Sequence, residues 1–317
     1  MHVRELAIAF LGAVFAAAAV NGQDDPADGT TSPPGRGLTP AQIAQRLDDV
    51  KAKLLPQIWE PKCDEDESHR RKYLDKWQAV PSAHYLVFTN GPTATCKKYS
   101  VTLEKLYAAI QQELPFADLD RPLVAYIFAD REDYYRYAVR ITGYSEAMAR
   151  RTAGHANSQF YATYYASPVD PVVFHEATHE IVGACLKVSG VGSWFQEGIA
   201  VYFENKMVND KLDGDTRSDV KRGDWYPLAE FFAIESLLGD PNGHGRRNYM
   251  HAGALLNFMI NTKLEPVAGK FPEFLAAARK GRGFGRGKDV SEQLIQTVYG
   301  LSVAEFEALW VQHLKIR

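Results

Sequence analysis

Residues 172–182 read VVFHEATHEIV, and residues 193–204 read SWFQEGIAVYFE. The first stretch holds an H-E-x-x-H pattern: His175, Glu176 and His179. In a helix, side chains four apart lie on one face, one turn apart, so both imidazoles reach a common point. Glu176 follows His175 about 100° round the same helix, near enough to poise an attacking water. Five residues therefore supply two metal ligands and a general base. The competing reading is a surface helix with two histidines and a solvated glutamate. The flanks weigh against it. Asp170 is a natural N-cap, Pro171 suits the first helical position and Gly190 is a stop, which predicts a helix over Val169–Val188. Val172, Val173, Ala177, Ile181, Ala184 and Cys185 give that helix apolar packing. Imidazoles and a carboxylate in a buried helix need partners, and one metal ion would satisfy all three.

A catalytic zinc usually has three protein ligands and one open position. Glu197 is the candidate third ligand. Ser193 with Gln196 three residues on is a capping-box pattern, which predicts a helix over about Trp194–Lys206 with Glu197 in its first turn. The turn Ser189-Gly190-Val191-Gly192 would let the two helices run antiparallel and bring Glu197 to the histidines. The alternative is that Glu197 is simply an acid well placed at a helix N-terminus.

The two segments together resemble the gluzincins, zinc peptidases with two histidine ligands from H-E-x-x-H and a glutamate ligand from the next helix. The likeness is to the peptidase MA-like group, including secreted bacterial proteins with an H-E-A-T-H core and a W-[LF]-x-E-G-[IL]-A motif. It covers about Tyr85 to the C-terminus and is most specific over Val172–Glu204. The resemblance implies that His175, His179 and Glu197 bind one zinc ion and that Glu176 is the catalytic base. It implies an α+β zincin-like fold, with a small mixed sheet packed on the H-E-x-x-H helix and a mostly helical C-terminal part. A metzincin would need a histidine six residues after His179, where this chain has Cys185.

The expected reaction is hydrolysis of a peptide bond, with Glu176 moving the proton. Related gluzincins use a downstream Tyr or His at the oxyanion. The candidates here are Tyr249, His251 and His244, with Tyr249 first because it opens the segment NYMHAGALLNF; the equal alternative is that Tyr249 only packs at the helix start. Glu204 and His155 are candidates to orient the ligating histidines. An edge strand beside the motif helix binds extended substrate in such folds, and Gln159–Tyr165 or Thr152–Asn157 is placed to be it, the equal alternative being a core strand with no substrate role. Two other function classes stay open: a non-catalytic module that binds a peptide or cell-envelope partner, and a zinc hydrolase acting on another amide or ester. An intact Glu176 argues against the module, which has no use for a base there.

The whole chain sets the frame. It has 317 residues, 46% hydrophobic and 24% charged, as expected of a soluble globular protein. A net charge of −3 offers no argument for nucleic acid or an anionic membrane. Arg4 precedes the apolar run Leu6–Val20, which reads as a signal peptide over residues 1–22 and implies a secreted, periplasmic or cell-envelope protein with no stable membrane insertion after cleavage. The run is shorter than the roughly 20 residues of a membrane span. Residues 23–38 are rich in Asp, Gly, Pro, Ser and Thr and read as a disordered leader. A helical segment over 39–80 precedes the peptidase domain, 81–317, in which sheet and motif helix (81–190) lead into a helical part (191–317). Export permits a disulfide. Cys63 and Cys96 lie outside the motif helices and are free to pair, but three cysteines allow three single bridges and the pairing stays open; Cys185, on the motif helix, is expected as a buried free thiol rather than a ligand.

Capping boxes open helices at Thr39 and Ser302, and Asp130 caps a third, to about Ile141. Asp64–Lys76, Ser100–Leu114, Pro227–Leu238 and Asn248–Asn261 read as further helices. His84–Thr89 and Leu123–Ala129 read as strands. The polar stretch after Glu204 to Gly223 reads as a loop. Arg279–Lys288 lacks a phosphate-loop pattern and also reads as a loop.

Overall fold

The computed structural model describes residues 38–58, 67–164, 166–188, 190–209, 220, 225–237, 244–280 and 287–316. The expected signal peptide, nearly all of the leader, Cys63 and most of the polar stretch before Gly223 lie outside the described residues. No helix among the described residues is long and apolar enough to cross a membrane.

The fold is α+β, built on one five-stranded mixed sheet. Its strands are β1 (Gln78–Pro81), β2 (Tyr85–Thr89), β3 (Leu123–Phe128), β4 (Gly154–Ala156) and β5 (Tyr161–Tyr164), in the order β1-β2-β3-β5-β4. The three central strands are parallel, and the two edge strands pair antiparallel to their neighbours. Of the two segments placed to be an edge strand, β4 is the edge and β5 is internal.

Central parallel strands are covered on both faces and so read as continuous apolar runs. On β2, Tyr85 and Val87 point into one core while Leu86 and Phe88 point into the other. Helices α1 (Pro40–Asp49), α2 (Leu55–Ile58) and α3 (Glu67–Asp75) precede the sheet, and α1 and α2 lie on the second face. The crossover helix α4 (Thr93–Glu113) covers the first face, and α5 (Arg131–Thr142) the second. After the short α6 (Glu146–Ala149) and the β4–β5 hairpin, the motif helix α7 (Pro171–Ile181) packs on the first face beside α4. The C-terminal half extends that core: α8 (Ser193–Asn209), α9 (Leu228–Phe231), α10 (Gly245–Asn261), α11 (Phe271–Lys280), α12 (Lys288–Tyr299) and α13 (Val303–Ile316).

Local chemistry explains most boundaries. Thr39 accepts from the Gln42 amide while Gln42 reaches back to the Thr39 amide. Asp130 accepts from the Glu132 and Asp133 amides. Ser302 and Glu305 form the expected box at α13.

Several expectations need correction. The helix opened at Thr39, which Pro56 is expected to end, instead continues through a π-helical turn at Val50–Leu54 into α2, with Pro56 inside it. Helix α8 runs to Asn209, beyond Lys206 and into the stretch read as loop. The segment Pro227–Leu238 is helical only over Leu228–Phe231. Helix α4 begins at Thr93 rather than Ser100, and α10 at Gly245 rather than Asn248. Cys96 is a fully buried free thiol facing the Val87 carbonyl, and its suggested partner Cys63 lies outside the described residues. Cys185 is free, as expected, but half-buried.

Candidate metal centre

Helix α7 begins where the sequence says it should. Asp170 accepts from the Val172 amide, and Pro171 occupies the first turn without forfeiting a helical hydrogen bond. The helix ends differently. Val182–Leu186 form a π-helical turn, and Lys187, at φ 53°, closes it in the left-handed region ahead of Gly190. Such wide turns recur near functional sites.

Helix α8 starts at Ser193 itself, and the expected capping box is absent. The Ser193 hydroxyl accepts instead from the Leu237 amide, and the Gln196 side chain donates to the Val188 carbonyl. Trp194 donates to Ser291, whose hydroxyl donates to the Val191 carbonyl. Entry into α8 is thus pinned by α12 rather than by its own first turn.

Glycines then let α8 meet α10. A Cβ at Gly198 would lie 2.6 Å from Leu256 Cδ2 and 2.8 Å from the Ala252 carbonyl oxygen. A Cβ at Gly253 would collide with Val201. The close crossing carries Glu197 and Tyr249 to the same place.

That place is opposite His175 and His179. His175 Nε2 lies 3.2 Å from Glu197 Oε2, His179 Nε2 lies 3.3 Å from Glu197 Oε2, and the two Nε2 atoms are 3.3 Å apart. His175 also reaches Glu204, late in α8, through Nδ1 at 3.0 Å. The later histidine meets the earlier glutamate and the earlier histidine meets the later one, so α7 and α8 run antiparallel. Among the described residues, His175, His179 and Glu197 are the one group of His, Cys, Asp and Glu side chains whose ligand atoms converge for a metal.

The triangle fits a metal. Three ligands at about 2.0–2.1 Å from a tetrahedral zinc are separated by about 3.3–3.4 Å. Three electron-rich atoms facing one point are poorly served by one shared proton, whereas a divalent cation satisfies all of them. The surroundings favour positive charge. Burial opposes a charge on His175, yet its hydrogen bonds to Glu197 and Glu204 outweigh that and push its pKa up to about 10. Burial likewise opposes ionisation of Glu197, but His179 and His175 hold its pKa at about 2.

Glu176 sits beside this triangle, 4% exposed, with Oε2 buried and lacking a hydrogen-bond partner. Burial raises its pKa, and His175 and His179 partly offset the rise. Tyr249 is also buried. Its hydroxyl bonds the Glu197 carboxylate, and its ring centroid is 5.9 Å from that of His175.

The other candidates lie elsewhere. His251 is sandwiched between Phe231 and Trp310, at centroid distances of 3.9 and 4.7 Å, and neither ring nitrogen has a partner. His244 flanks the start of α10, near Tyr226. His155 points to the far face of the sheet, where Nε2 meets the Tyr137 hydroxyl at 3.2 Å. It cannot orient a ligand, and of the two candidates Glu204 takes that position. The two ligand-type histidines are unequal, because His179 Nδ1 is buried without a partner.

Compared with known protein families and with curated proteins, the chain matches none.

Proposed function

We propose that this protein is an exported zinc metallopeptidase of gluzincin type, with a zincin-like fold, that hydrolyses peptide bonds in peptides or proteins. The observation that carries the reading is the convergence of His175, His179 and Glu197 at tetrahedral spacing beside the buried carboxylate of Glu176. Two imidazoles and one carboxylate form a donor set that suits zinc. When bound, the metal supplies Lewis acidity that activates water and polarises the scissile carbonyl.

The protein's own groups do the rest. Glu176 takes the proton of the attacking water and delivers it to the leaving amine, a task suited to a carboxylate whose pKa burial has raised. Glu204 holds the His175 imidazole through Nδ1, fixing its tautomer and turning Nε2 toward the metal. Tyr249 keeps its proton, because burial and then the charges of Glu197 and Glu176 push its pKa far above the usual range. It remains a donor, to Glu197 at rest and, once turned from it, to an oxyanion developing beside it. Strand β4, the edge strand nearest α7, is where an extended peptide adds to the sheet.

The test is hydrolysis of casein by zinc-loaded protein, with Glu176→Gln as the control. Turnover in the wild type, reduced about 10²- to 10⁴-fold in the variant at equal zinc content, is the expected result. Zinc retained by the wild type with no turnover of casein or other denatured proteins contradicts it and favours a binding module.

A further inference from the structure

Unlike His175, His179 and Glu197, each held by at least one polar contact, Glu176 has none to hold it. His175 is held by two carboxylates and Glu197 by two histidines and Tyr249, but Glu176 Oε2 is buried without a hydrogen bond. What confines it is packing, and the closest packing comes from β4. Side chains alternate along a strand. On β4, Gly154 and Ala156 face α7 while His155 faces away into the opposite core. Gly154 is not there for conformational freedom, since its φ lies outside the left-handed region. It is there for space. A Cβ at this position would lie 3.1 Å from Glu176 Cγ, 3.2 Å from the Ala162 carbonyl oxygen and 3.3 Å from Val172 Cγ1.

We infer that Gly154 is a positioning residue: the bare strand backbone is the wall against which the Glu176 side chain rests, and it sets where the carboxylate points. The inference rests on the peptidase reading, in which Glu176 is the base. Of the three neighbours of an added methyl group, the Ala162 carbonyl belongs to the internal strand β5 and Val172 to the capped first turn of α7. The Glu176 side chain is the neighbour free to yield. Its carboxylate is then displaced while the histidines and Glu197, none of them among the three nearest neighbours of the added methyl, keep their places. Relief of a 3.1 Å contact takes a few tenths of an ångström; a full 1 Å at a reacting group costs about 10²-fold in rate, so this shift costs less.

The experiment compares wild type, Gly154→Ala, Val172→Ala and the double variant, each zinc-loaded. The expected result for Gly154→Ala is a fall of about 3- to 10-fold in kcat on casein, with unchanged zinc stoichiometry and affinity. Val172→Ala removes one of the three contacts and is expected to restore part of that loss in the double variant. A merely structural role gives the reverse, because a second core truncation only adds damage. Wild-type turnover in a folded Gly154→Ala protein overturns the inference, as does loss of zinc in step with turnover. Should Gly154→Ala fail to fold alone, the double variant is read against Val172→Ala: lower turnover at equal zinc supports the inference, and equal turnover overturns it. Binding of acetohydroxamate to the zinc-loaded proteins separates this question from the peptidase reading. A hydroxamate on the metal places an acidic proton beside Glu176, so weaker binding to Gly154→Ala supports the positioning role even if the wild type cleaves no protein, and equal binding overturns it.

Discussion

His175 and His179, between α7 and α8, are as deeply buried as His155 and His251, which lie among aromatic rings on the far face of the sheet and between α10 and α13; none is more than 5% exposed. Depth therefore does not distinguish them, and their neighbours do. The first pair faces the carboxylates of Glu197 and Glu204. The second pair is packed among Tyr134, Tyr137, Tyr144 and Phe160 in one case, and Phe231 and Trp310 in the other. Aromatic walls remove water without offering a counter-charge, so burial pushes the pKa of His155 down to about 4 and that of His251 down to about 3. Carboxylate walls do the opposite and collect positive charge, whether a proton or a metal ion.

One substitution breaks this comparison directly. His→Phe at His179 is expected to abolish stoichiometric zinc binding, while His→Phe at His251 or His155 leaves zinc stoichiometry intact; zinc content of the purified variants decides it. Zinc lost equally from all three would mean that aromatic burial matters as much as the ligand set.

The next effect in size belongs to Glu204. Glu204→Ala should weaken zinc binding about 10- to 100-fold in chelator competition, and Glu204→Gln, whose amide oxygen still accepts from Nδ1, should recover much of the loss. Unchanged affinity in Glu204→Ala would reduce the His175–Glu204 contact to packing.

The smallest effect sharpens the aromatic side. An unfolded histidine titrates near pH 6.5. Folded His251 stays neutral down to about 3, so the unfolded chain binds the extra proton between those values. Stability is full above about pH 6.5 and falls as pH drops through the window, by up to about 1.4 kcal/mol per pH unit. His251→Phe removes this contribution. Between pH 7 and pH 5 the variant should lose about 2 kcal/mol less than the wild type in urea unfolding. Parallel losses would show that His251 finds a partner in solution.

The same contrast explains how far the sequence could be read. His175, Glu176, His179 and Glu197 were legible because helical spacing alone puts the first three together, and a short connection returns the fourth. Thr39, Asp130, Asp170 and Ser302 were legible because caps act on their own helices. Ser193 misled because its hydroxyl accepts from Leu237, 44 residues away. Gly190 misled because the π-helical turn changes the phase and Lys187 takes the left-handed position first. Spacing could not choose between Glu204 and His155, since the choice depends on which face of a three-residue strand His155 occupies. The aromatic sandwich of His251 joins α9, α10 and α13, and nothing local in NYMHAGALLNF announces it. Helices α11 and α12 were missed because the Gly- and Arg-rich stretch between them drew the reading toward a loop.

The most direct test is elemental analysis of zinc in the purified wild type and in Glu197→Ala. The account predicts one zinc per chain in the wild type and much less in the variant, where two histidines hold the ion alone. No zinc in the wild type, even when it is supplied, or a full complement at unchanged affinity in Glu197→Ala, would contradict it.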